Sequence, residues 1–149
     1  MVSTSTFKRD ILYFVKKDLL DNITDPITSK RKSDSKFVMT SYPQRTVQYP
    51  LITIKMPNME ATRAGMQTTA MDVIITLELR VWARNEKEKD TLSDDVYERL
   101  RTIQFATDGS NDNDLHDFRC LSQVEVDEEG DAGIKSRILQ IQYTFWNVS

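Results

Sequence analysis

The sequence predicts an α+β domain, a mostly antiparallel sheet packed by two helices in the order α-β-β-β-α-β-β. Three observations carry this. Two segments, one near the N-terminus and one after residue 85, place apolar residues at helical spacing, while other runs alternate with period two. An acidic, glycine-containing turn joins the last two of those runs as a hairpin. Four Gly and four Pro among 149 residues favour a few long elements over a turn-dense sandwich, and 39% hydrophobic residues suffice for one core.

The first helix is expected from about Thr6 to Ile23. Phe7, Ile11, Phe14, Val15, Leu19 and Ile23 form one stripe of period 3.6, opposite Lys8, Arg9, Lys16, Lys17, Asp18 and Asp21. Thr24-Asp25-Pro26 ends it, because the residue before proline avoids the helical region. Residues 27–36 are polar and basic and read as a solvated loop. An extended region follows: Phe37 to Thr40, a stretch ending at Tyr49-Pro50, then Leu51 to Met56 with Ile52, Ile54 and Met56 on one face. The prolines after Tyr42 and Tyr49 withhold ladder donors and place these segments at strand starts or a sheet edge.

Residues 57–70 show little periodicity and read as an irregular loop or an inter-subunit arm. The longest strand is expected at 71–82. Val73, Ile75, Leu77, Leu79 and Val81 share the more apolar face, under the two helices, opposite Ile74 and Trp82. The second helix runs from Glu86 to Phe105, with Asn85 as N-cap, Glu88 completing a capping box, and Leu92, Val96, Leu100 and Ile103 as its buried stripe. Residues 107–114 (TDGSNDND) are loop by composition, and two strands, 119–126 and 134–146, close the chain.

A net charge of −3 gives no cationic footprint for sequence-independent nucleic-acid binding. The single Cys120 excludes an internal disulfide. Met1 to Thr6 lack the basic and apolar regions of a secretory signal, and no apolar run nears the ~20 residues that span a bilayer. The chain therefore reads as cytoplasmic, or as part of something assembled in a cytoplasm, with no membrane partner.

No catalytic constellation emerges. His116 with Asp114, Asp117 and Cys120 falls short of the ligand set of a closed zinc site, and a Cys120–His116 nucleophile lacks an orienting third group. Asp72 and Glu78 resemble a nuclease carboxylate pair, but six residues along one strand separate them by roughly 20 Å. Glu125, Asp127, Glu128, Glu129 and Asp131 lack the spacing of a calcium-binding loop. Neither a metal nor a cofactor is expected.

The segment Ser41-Tyr42-Pro43-Gln44-Arg45-Thr46-Val47-Gln48-Tyr49-Pro50-Leu51-Ile52-Thr53-Ile54 resembles the early "YP … YPxIxI" β region of small tail-terminator, tail-completion and head–tail joining proteins of tailed phages. The order around it agrees: a long N-terminal helix, a long strand ending at Val81-Trp82-Ala83-Arg84, a charged helix and a closing hairpin. As an element order the resemblance covers nearly the whole chain; as residue motifs it covers about 41–54 and 79–100. It implies a non-enzymatic virion subunit, located in the tail or neck and forming a ring, commonly a hexamer. That ring caps the tail tube and meets a neck or head-completion protein. Tyr42, Arg45, Tyr49, Arg63, Met66, Arg80, Trp82 and Arg84 are the expected interface residues. Another connector of the same assembly is the alternative; a small enzyme or nucleic-acid module is the alternative of another class.

Overall fold

The computed structural model describes residues 7–27, 37–40, 48–63, 65–66, 71–103, 115–127 and 134–148. The expected order holds: α1 (Phe7–Asn22), β1 (Val38–Met39), β2 (Leu51–Arg63), β3 (Met71–Ala83), α2 (Glu86–Thr102), β4 (His116–Asp127) and β5 (Lys135–Val148). The fold is α+β. Its five strands lie in the order β1-β2-β3-β5-β4, antiparallel throughout except for the short parallel pairing of β1 with β2.

Both helices cover one face of this sheet, α1 over β1 and β2, α2 over β3 and β5. The helical stripes fall where their spacing put them. Ile11, Val15 and Leu19 of α1 and Ile23 just after it are buried, as are Leu92, Val96, Leu100 and Ile103 of the second stripe. They meet Val73, Ile75, Leu77, Leu79 and Val81 of β3 and Leu139, Ile141, Tyr143 and Phe145 of β5 in one apolar cluster. Leu77 and Leu79 are fully buried, whereas Ile74, on the other face, is 37% exposed. Asp18 of α1 and Arg99 of α2 join the helices by two hydrogen bonds of 2.7 and 2.8 Å.

The α2 N-terminus is capped by Asn85, as its sequence suggests. Asn85 Oδ1 accepts from the Glu88 N–H at 2.9 Å, and the Glu88 carboxylate accepts from the Arg84 N–H and guanidinium. At the other end of α2, the buried Tyr143 hydroxyl donates to the Leu100 carbonyl. That carbonyl is among the last four of the helix, which lack intrahelical donors. Burial pushes the Tyr143 phenol well above its usual pKa, so it remains a neutral donor.

One expectation needs correction. Residues 57–63 are not irregular: β2 continues to Arg63, paired in register from Asn58↔Thr76 to Arg63↔Met71 after a bulge at Lys55–Asn58. The pattern was invisible because all seven residues are exposed, so neither face required apolar side chains. β4 likewise begins three residues earlier than its composition indicates, at His116. Pro50 directly precedes β2, in the strand-start position expected of it, and the Tyr49–Pro50 peptide is cis.

Candidate assembly surface

The helices leave the second face of the sheet without a helical layer among the described residues. A transverse band of side chains braces it. The Arg80 guanidinium lies 3.8 Å from the Trp82 ring centroid and donates to Ser136 Oγ at 3.1 Å. Ser136 Oγ donates to the Val126 carbonyl at 2.9 Å, and Trp82 Nε1 donates to Thr53 Oγ1 at 3.3 Å. Four strands (β2, β3, β5 and β4) are thus tied by one strip, which fixes the orientation of Arg80 and Trp82. Ile74 and Val124 on this face, and Leu121 at a bulge of β4, add exposed apolar surface.

Among the described residues, no further strand lies along most of β2 or along β4. Beyond Thr53, where β1 stops pairing, no described strand lies outside β2; β4 is the opposite edge. The distal part of β2 carries Arg63 on an exposed strand end, and Met66, 93% exposed, stands just beyond it. Tyr49 is half-buried ahead of β2. Arg84 is tied locally, its guanidinium paired with Glu88, whose hydrogen bond raises the arginine's pKa. The structure therefore separates the expected residues into the Arg80–Trp82 stack, the β2 end with Arg63 and Met66, and the local Arg84 pair. Tyr42 and Arg45 lie outside the described residues, as do the basic segment 28–36, the 107–114 loop and the turn 128–133.

Charge concentrates at one further place. Lys89 is buried to 2% exposure, with its ammonium bonded to Glu86 and lying 3.0 Å from Glu125. Arg137 bridges Asp90 and Glu125 at 2.8 Å each. Burial alone lowers the Lys89 pKa, but the hydrogen bonds to Glu86 and Glu125 outweigh it and leave the net shift upward. Arg137 and then Lys89 hold the Glu125 carboxyl below its usual value. Such a carboxylate favours the folded state at neutral pH and loses that contribution as pH falls through its folded pKa. Glu86, Asp90 and Glu125 bring carboxylate oxygens within 4.8 Å of one another, as a cation site would. Lys89 and Arg137 already supply the positive charge there, so the cluster works as a knot fastening α2 to the β4–β5 pair. Sequence reasoning missed Lys89, although it continues the α2 stripe three residues before Leu92.

His116 and Cys120 do not come together. His116 pairs opposite Thr144 and Cys120 opposite Ile141, positions of opposite parity on β5, so the two side chains face opposite sides of the sheet. An open cleft of about 490 Å³ lies against the first turns of α2, lined by Thr24, Pro26, Asn85, Leu92 and neighbouring polar residues. It contains neither His116 nor Cys120. No helix among the described residues is long and apolar enough to cross a membrane.

The fold is that of a two-layer α+β protein, two helices on one face of a five-stranded, mostly antiparallel sheet. This chain is similar in fold to a chain in a solved structure described as the virion of a native gene transfer agent particle. The TM-score is 0.55 and the identity 12%, with 87% of this chain and 90% of that chain covered. The likeness is one of architecture. No family model matches the chain, and no curated protein matches it.

Proposed function

We propose that this chain is a structural virion assembly protein, a ring-forming tail-terminator or tail-completion subunit that caps the tail tube and joins it to the head or neck. The observation that carries this reading is the fold likeness to a chain of a gene transfer agent virion, which runs through nearly all of both chains. Fold alone leaves function open. The strand edges without a neighbour among the described residues and the braced Arg80–Trp82 face support the reading, because both are surface that another subunit could cover. The Ser41–Ile54 resemblance points to the same class.

In this reading the partners are further copies of the chain, the tail tube protein and a neck or head-completion protein. The role is binding, with neither catalysis nor a cofactor, and the location is the tail or neck of a particle assembled in a host cytoplasm. Its test is the mass of the native assembly, alone and mixed with tail tubes. The expected mass is a multiple of the 17.3 kDa chain, six-fold. A strict monomer under both conditions contradicts the reading.

A further inference from the structure

We propose that neighbouring copies join edge to edge, β2 of one copy pairing antiparallel with β4 of the next, so that one continuous sheet runs around the assembly. The inference rests on the ring reading above and specifies its interface. It starts from the topology. β2 is antiparallel to β3, β3 to β5 and β5 to β4, so β2 and β4 run in opposite directions. A second copy laid alongside in the same orientation therefore brings its β2 antiparallel to β4. Each copy uses two different edges, which is the head-to-tail contact that closes into a ring when the rotation permits.

The lengths and levels agree. Following the pairing across the sheet, Lys55 stands level with Glu78, Gln140 and Ser122; Asn58 with Thr76, Gln142 and Arg119; Glu60 with Ile74, Thr144 and His116. β1 pairs with β2 at Ile52 and Thr53, and among the described residues no strand pairs with the outer side of β2 beyond them, where these levels begin. An unstaggered neighbour thus sets residues 54–60 against residues 116–123.

The side chains suit each other as well. Glu60 would stand opposite His116 of the next copy and share a face with its Arg119, a cation that in the single copy pairs with Asp117 at 3.0 Å. Met59, 50% exposed, pairs with Ile75, which pairs with Tyr143. The neighbour's Phe118, whose ring lies 5.7 Å from its own Tyr143, occupies the same level on the same face. Lys55, Pro57 and the bulge between Lys55 and Asn58 interrupt the first half of this stretch, so the pairing is carried from Asn58 onward, where Asn58 to Arg63 hold no Pro, Gly or Lys.

Within one copy β2 and β4 are separated by two strands, about 14 Å at ordinary strand spacing, so a disulfide between them must join two copies. In a Cys120→Ala background, Asn58→Cys with Arg119→Cys, and Glu60→Cys with His116→Cys, should give on oxidation a denaturant-resistant ladder ending at the closed-ring mass. Either substitution alone should not. Hydrogen exchange on the unsubstituted chain is the second measurement and needs no variant. Amides of 58–60 and 116–119 should slow together, at least about tenfold, on assembly. Rings of normal mass whose exchange is unchanged in both segments, and whose paired cysteines do not cross-link even when shifted by two residues (Asp117→Cys, Leu121→Cys), overturn the edge pairing and leave the ring reading standing. A strict monomer, alone and with tail tubes, overturns both.

Discussion

Truncating Leu77 or Leu79 to Ala should destabilise the protein by about 2–5 kcal/mol each, the range for a fully buried leucine whose cavity cannot collapse. Both side chains have no exposed surface and sit at the centre of the cluster that α1, α2 and the sheet share. Ile74→Ala provides the comparison on the same strand. Its side chain is 37% exposed on the face away from the helices, and it should cost under about 1 kcal/mol. Denaturant unfolding checks this, with all variants held at one protein concentration because assembly adds to apparent stability. Losses under about 1 kcal/mol for both leucines would mean that the helices do not cover this face.

The second large effect is expected from one oxygen atom. Tyr143→Phe keeps the ring that meets Phe118 and removes only the hydroxyl that donates to Leu100. The Leu100 carbonyl near the end of α2 then loses a donor in a buried setting, which costs about 1–3 kcal/mol. The effect should be accompanied by faster hydrogen exchange in the last turn of α2, with the first turn, held by Asn85, unchanged. A Tyr143→Phe variant of unaltered stability would show that water reaches this carbonyl.

How much of this could be read from the chain depends on whether burial imposed a pattern. α1 and α2 were legible because one face of each enters the core, which forced Ile11, Val15, Leu19 and Leu92, Val96, Leu100 into helical spacing. β3 was legible for the corresponding reason. The distal half of β2 was not, since its strand state comes from backbone pairing with β3 while its side chains all face solvent. Lys89 was hidden by its charge: the position is apolar by spacing, and a lysine fits because the carboxylates of Glu86, Asp90 and Glu125 surround its ammonium. Of the expected interface residues, Arg80 and Trp82 were named together, but their stacking depends on Ser136 and Thr53, partners 56 and 29 residues away along the chain. The start of β4, with His116 and Phe118, was missed because a bulge at 116–119 breaks its alternation.

The central claim, a subunit that closes one end of a tail tube, is tested most directly by imaging purified tail tubes mixed with the protein by electron cryo-microscopy. The account predicts a ring at the head-proximal tip of the tube, with six copies of the two-helix, five-strand subunit joined through their sheets. Bare tube tips, or the protein bound along the tube wall or elsewhere in the particle, would contradict it.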